Sequence, residues 1–557
     1  AGSTDVDTLT VDYDFGGTAD VNVNFTAGGG VDRLRMLGTG ATNGSVDLNI
    51  NGADGVIVAD GNTITFTGLT AAGNEPIEIE AFNQLTYTTP GNEDVITLSA
   101  VGSSPISAQG ALAVSGTSEN PANAAVALPT VNIIDVQNVT LDLALRDAGG
   151  QSADTVTIND GALRGTAITS LAIQTGIGQD QFNINETDYR NSVGADVLSL
   201  DGGSATDRVN VKLDNLDLVQ LSDTTLSLTD GGVVRGVITL TNVDGDTAAL
   251  VDGVGSDNAI DLSGWLNGTA TVTGGGGTDT LTGPNEIALW NVTGINSGLV
   301  NGNTFTGIEN LVGGASSDQF VISDGAGVAG SIDGGRGINN PGLSASVVDT
   351  LDLSNFLTAR TVEITTVDTF STDFGFNLTA VFSSNVAVNA AGGQNMVTVD
   401  DGTLFRVGET IIVSDDDSAS EELIIQGIAG NVLTLSGNLV STFETAQNAV
   451  VSAEKIGTAL DRVIGSGQVG VNDTLTVAPQ TTVLGSFVGG VFTVSSTFGD
   501  SSYVVTGGSQ TLGFDEFESV NGGSNDDTFN VATDIDASLG GGGGNDTFNL
   551  ATGVTVN

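Results

Sequence analysis

The chain has 557 residues but no cysteine and no histidine, and its only lysines are Lys212 and Lys455. Without cysteine there is no disulfide scaffold, so stability must come from an extended core or from bound ions. The same absences remove His and Cys metal sites, cysteine nucleophiles and the Ser-His-Asp triad. Basic residues are scarce throughout: 13 Lys plus Arg stand against 67 Asp plus Glu, a formal charge of −54. Such a chain offers no basic face to nucleic acid and no polybasic patch to anionic lipid. Its natural partners are divalent cations, water, and further copies of itself once cations screen the repulsion. No apolar run reaches the ~18 residues of a membrane span. The opening Ala1-Gly2-Ser3-Thr4-Asp5 lacks the basic start and apolar stretch of a signal peptide. Residue 1 is therefore expected to follow a processing site or to lie inside a longer chain.

Aromatic residues are also few, at 5 %, and charged residues make up only 14 %. High net charge with few aromatics is a composition of disordered chains. Here, however, 39 % of residues are hydrophobic, and they fall in short alternating runs with Asp placed in the turns between them. Gly, Thr, Asn, Ser, Ala and Val dominate the remainder, which is a strand-and-turn alphabet.

One unit recurs: a Gly- or Asn-rich turn, then Asp, then a strand reading Asp-x-apolar-x-apolar. It begins at Asp7, Asp32, Asp94, Asp154, Asp180 and Asp207, with further copies at Asp318, Asp349, Asp473, Asp527 and Asp546 and weaker ones at Asp257 and Asp279. Strands this short cannot bury a core alone and must stack on neighbours. Gly permits the left-handed backbone of a tight corner, and Asp caps the corner by accepting from amides. A longer motif places Glu309 nine residues before Asp318 and Glu518 nine before Asp527. Spacings of 19, 22, 26 and 27 between successive aspartates suit one coil of a parallel β-helix. The expected fold is all-β: a parallel β-helix, or β-solenoid, with irregular coils. Strands after Asp154, Asp180 and Asp207 are expected to lie in parallel register ~4.8 Å apart.

Two stretches break the pattern. Residues 103–130, rich in Ala, Ser and Pro, read as a loop or excursion between solenoid coils at 1–102 and 131–385. Residues 386–453 read as an inserted small β-barrel, with solenoid coils resuming over 454–557. Removing those 68 residues shrinks the gap from Asp349 to Asp473 from 124 to 56 residues, within the range of the other gaps. Within the insert, Phe405-Arg406-Val407-Gly408-Glu409-Thr410-Ile411-Ile412-Val413 and Val432-Leu433-Thr434-Leu435 resemble small β-barrel modules of phage tails and bacterial surface proteins.

The segment Gly307-Ile308-Glu309-Asn310-Leu311-Val312-Gly313-Gly314, followed by Asp318-Gln319-Phe320, Gly330 to Gly335, and Asp349 to Ser354, resembles a unit of very large secreted β-strand-repeat adhesins. These are distant relatives of haemolysin-type (RTX) calcium-binding proteins. The resemblance implies export, an extracellular or cell-surface location, and a role as adhesin, surface layer or fibre, with homo-oligomeric assembly and a cell-surface glycan as ligand. One departure matters. Gly274-Gly275-Gly276-Gly277-Thr278-Asp279 and Gly541-Gly542-Gly543-Gly544-Asn545-Asp546 match the RTX turn, yet neither has a partner nine residues away to share an ion.

The candidate calcium turns are Asp180, Asp207, Asp279, Asp318, Asp527 and Asp546. Two readings stand side by side. Stacked carboxylates ~4.8 Å apart repel unless a cation lies between them, and Asp with turn carbonyls can supply the six to eight oxygens calcium takes. Alternatively the aspartates only cap turns. Asp415-Asp416-Asp417 reads as a solvated hairpin tip, and Trp265 and Trp290 as core or corner packing. The functional expectation is a structural segment of an extracellular bacterial fibre, adhesin or matrix, with a surface-layer (S-layer) protein as the alternative. A carbohydrate-active β-helix enzyme ranks below both, because it needs carboxylates concentrated in one groove and here Asp is spread over the turns. The chain is therefore read as not an enzyme. The end strands, around Asp7 and at Asp546 to Leu550, carry no capping element, so stacking is expected to continue beyond them.

Overall fold

In the computed structural model the described residues are 7–13, 22–49, 51–69, 76–101, 110–119, 124–147, 153–185, 191, 194–213, 216–243, 248–251, 255–266, 268–335, 347–355, 361–368, 375–400, 402, 405, 410–415, 420–460, 462–466, 473–477, 482–483, 486–487, 490–494, 501–505 and 511–556. They form an all-β protein dominated by one large mixed sheet. Their helical turns include the 3-10 segments Ala144–Arg146 and Thr445–Gln447. The chain divides into two compact units, Ala1–Gly277 and Thr278–Asn557.

In the first unit the alternation of apolar and polar residues builds two parallel ladders. One runs Asp94–Val101, Thr155–Ile158, Gln181–Ile184, Arg208–Lys212, Ala248–Val251 and Ala270–Thr273. Its register aligns Leu98, Ile158, Ile184, Val211, Leu250 and Val272 in a single buried column. The other passes through Ile77–Thr88, Asn138–Asp142, Ser170–Gln174, Leu198–Asp201 and Val233–Thr241, stacking Tyr87, Leu141, Ile173, Leu200 and Leu240. Each fully buried aliphatic side chain contributes ~1.5–3 kcal/mol. A one-residue slip would turn every one of them to solvent, which fixes the register. The strands after Asp154, Asp180 and Asp207 thus pair in the parallel register that the spacing predicts.

Antiparallel hairpins interrupt these ladders and make the sheet mixed. Within 103–130 the described residues are strands: Ala111–Glu119 pairs with Asp94–Val101 on one side and Ala125–Ile134 on the other. Pro105 and Pro121 lie outside the described residues. Leu218–Ser222, Thr225–Asp230 and Val233–Thr241 form a second antiparallel excursion.

The second unit repeats the scheme. Ala288–Gly294, Asp318–Ile322, Thr350–Asp352 and Arg462–Ile464 form a parallel ladder. Trp290 is fully buried there, stacked on Phe320 at 5.3 Å and meeting Phe305 edge-on at 6.0 Å. Trp265, in the first unit, is likewise buried. A second stack aligns Phe492, Phe529 and Phe548, with ring centroids 4.5 and 4.9 Å apart.

The ladder steps directly from Leu351 to Val463; of the residues between them, 456–458 pair in parallel with Ser331–Asp333 and 361–364 with Thr474–Val477. Part of that segment has a core of its own, in which Val386, Val397, Val399, Phe405, Ile411, Val413, Leu433, Leu435, Phe443 and Val451 pack together. Its strands Met396–Thr398, Thr410–Ser414, Glu421–Ala429 and Val432–Leu435 pair antiparallel. Asn385 faces Val450 across the antiparallel strands Gly375–Asn385 and Val450–Leu460 that carry this segment.

Candidate functional site

On successive parallel rungs the repeated aspartate does the same work. The backbone N–H of Asp94 donates to Oδ1 of Asp154 at 2.8 Å, that of Asp154 to Asp180 at 2.7 Å, and that of Asp180 to Asp207 at 2.9 Å. Asp7 donates to Asp32 at 2.9 Å, Asp318 to Asp349 at 2.9 Å, and Asp527 to Asp546 at 3.0 Å. Each carboxylate therefore caps the amide that starts the strand one rung earlier. A parallel ladder leaves this terminal amide without a strand partner, and an unpaired buried N–H is costly.

The second carboxylate oxygen closes the aspartate's own turn. Gly28 N–H donates to Asp32 Oδ2 at 2.6 Å, Gly314 to Asp318 Oδ2 at 2.8 Å, and Gly523 to Asp527 Oδ2 at 2.9 Å. The glycine one residue earlier makes room. A Cβ on Gly202, Gly313, Gly522 or Gly541 would lie 2.2–2.4 Å from the Oδ2 of Asp207, Asp318, Asp527 or Asp546 respectively. This accounts for the Gly-Gly-x-x-x-Asp pattern: the first glycine clears the carboxylate and the second donates to it.

Of the candidate calcium residues, the structure brings Asp180 and Asp207 into one column and Asp527 and Asp546 into another. Asp318 stacks with Asp349. Asp279 meets a glutamate instead: its N–H donates to Glu309 Oε2 at 2.8 Å, while Asn296 holds Glu309 Oε1 at 2.6 Å. Asp473 is capped in the same way by Glu518 at 2.8 Å. The glutamate nine residues before an aspartate is thus a longer-armed version of the same cap. The recurrence of Glu309 and Glu518 marked them in the sequence, but their target did not show there.

Burial, more than neighbouring charge, governs the protonation of these acids. Asp154 is fully buried, and burial first, then the charge of Asp94, pushes its carboxyl up to about 10. Burial followed by Asp349 pushes Asp318 up to about 8, with the Gly314, Trp290 and Ala288 donors opposing. Asp94 rises to about 6 by burial, held down by the hydroxyls of Ser118 and Thr89. Asp180 is raised by burial against the opposing Thr175 hydroxyl. Ionised columns of this kind demand a counter-charge or a proton. Among the described residues, no three acidic side chains gather around one point as a metal-binding group. Asp415 accepts from Glu444 N–H at 3.1 Å, and Asp416 and Asp417 lie outside the described residues. No protein-family model matches the chain, and no curated protein matches it.

Proposed function

We propose that the chain is a structural segment of an extracellular bacterial fibre, adhesin or matrix, built as a β-solenoid and stabilised by divalent cations. The observation that carries this reading is the repeated parallel rung, in which one acid per coil caps the amide of the coil before it. A fold made of one self-complementary step presents the same edge at every level, so it grows by addition and serves as a scaffold. The charge of −54 opposes close approach of such scaffolds. Calcium at the acidic turns relieves that repulsion and binds the folded state in preference to the unfolded one. The resemblance to secreted β-strand-repeat adhesins points the same way.

The test combines negative-stain imaging with light scattering and thermal melting, in calcium, in EDTA, and in sodium chloride of matched ionic strength. Elongated particles that lengthen and melt higher in calcium are expected. Compact monomers under all three conditions, with unchanged melting, would sink the reading.

A further inference from the structure

A cluster of buried oxygens surrounds the first cap of the column that runs from Asp94 to Asp207, where the first ladder meets its antiparallel excursion. Asp94 opens its strand directly opposite Ser118 of Ala111–Glu119. Thr89 sits in the turn before it, Tyr87 ends the adjoining strand Ile77–Thr88, and Asp154 belongs to the next rung. Tyr87, Thr89, Asp94 and Asp154 are 0 % exposed, and Ser118 is 1 % exposed. Neither carboxylate oxygen of Asp94 accepts a hydrogen bond of normal geometry, and the Ser118, Thr89 and Tyr87 hydroxyls and Asp154 Oδ2 make none. The Ser118 and Thr89 hydroxyls nonetheless face the Asp94 carboxylate closely enough to pull its proton affinity down.

So many buried polar oxygens left unsatisfied in one place need a reason, because each costs ~1–3 kcal/mol. Buried oxygens gathered around one carboxylate in loose hydrogen-bond geometry are arranged as a coordination shell is. The shell is tightly built: a Cβ on Gly91 would lie 2.5 Å from Ser118 Oγ and 1.9 Å from the Glu119 carbonyl oxygen.

We propose that Asp94, Asp154, Ser118 and Thr89, with Tyr87 as the wall, enclose a binding site for a dehydrated calcium ion. Hard oxygen donors and two carboxylates are calcium chemistry. Magnesium keeps several of its waters and suits an enclosed site poorly. Asp147, close enough for its charge to raise Asp94 and Asp154, adds to the negative field. The Tyr87 hydroxyl stays protonated, because burial and the Asp94 charge both raise its pKa. This ion sits at the root of the excursion, where it ties Ala111–Glu119 to two successive rungs. It is distinct from any cation at the candidate turns Asp180, Asp207, Asp279, Asp318, Asp527 and Asp546.

The full chain, stripped with EDTA, is titrated with calcium by calorimetry, with magnesium as the comparison. One tight calcium step is expected, absent in Asp94→Asn and weakened at least tenfold in Ser118→Ala and in Thr89→Val. Asp60→Asn, at an exposed turn outside the repeated aspartates, leaves this step unchanged and serves as the control. Ser118→Ala and Thr89→Val leave both carboxylates in place, so folding can be checked by circular dichroism while affinity is read. The proposal is overturned if Asp94→Asn, Ser118→Ala and Thr89→Val all bind calcium with the stoichiometry and affinity of the parent chain. It is equally overturned if the parent binds none at this step and Asp94→Asn melts higher both in EDTA and in calcium. Light scattering on the same samples reports assembly separately, so failure of the site and failure of the scaffold reading are told apart.

Discussion

Replacing Asp318 by Asn separates the two things its carboxylate does. The side chain caps Gly314 N–H at 2.8 Å, and an asparagine oxygen can keep that bond. The carboxylate also carries a charge that burial and Asp349 disfavour, raising its folded-state pKa to about 8 from the ordinary carboxylate value of 3.8. Between those values the folded chain holds a proton that the unfolded chain has lost, so stability falls as pH rises from about 4 through about 8. At pH 7 the cost is ~1.36 kcal/mol for each of roughly three pH units, or about 4 kcal/mol. Asn carries no such cost. Without divalent cations, Asp318→Asn should stabilise its region by up to ~4 kcal/mol at pH 7, by about 1.6 kcal/mol at pH 5, and negligibly near pH 4. Asp318→Ala, which also abandons the Gly314 amide, should lie ~1–3 kcal/mol below Asp318→Asn at every pH. Peptide-resolved hydrogen exchange over residues 310–322, expressed as protection factors in EDTA, reads these local stabilities directly. If Asp318→Asn is less protected than the parent chain by the same amount at pH 5 and pH 7, the carboxylate is ionised and favourable there, and the reasoning fails. In calcium the order reverses if the turn holds an ion, since the amide forfeits that ligand.

Gly522→Ala places a Cβ 2.4 Å from Asp527 Oδ2 and 2.5 Å from the Gly541 carbonyl oxygen; a loss of ~1–3 kcal/mol, seen as a lower melting midpoint, is expected from the overpacking. Glu309→Ala should cost ~1–3 kcal/mol by orphaning the Asp279 amide, whereas Glu309→Gln should keep most of that bond, as exchange at residue 279 will show. Replacing 387–448 by a two-residue Asn-Gly turn exploits the facing pair Asn385 and Val450. The shortened chain should keep its strand content by circular dichroism, and aggregation or a lost sheet signal would show that the segment supports the ladder.

Much of this architecture was legible without coordinates, because its rules are local. Period-two alternation states which side chains face inward, and Gly-Gly followed by Asp marks where each strand begins. Together with spacings of 26 and 27 residues they align Asp154, Asp180 and Asp207, and the structure pairs those strands in that register. Trp265 and Trp290, read as core or corner packing, are both buried. What no local pattern encodes is which acid stands next to which. Asp279 meets Glu309 rather than Asp318 because the hairpin Ser297–Val300 and Asn303–Thr306 intervenes and shifts the partner. The cluster around Asp94 depends likewise on Ser118, delivered by strands whose Ala-rich sequence reads only as a loop or excursion. Turn chemistry acts over a few residues, whereas contacts between rungs depend on how much chain each hairpin consumes before the ladder resumes. Only the folded structure adds up those lengths, and so only it decides which buried oxygens come together.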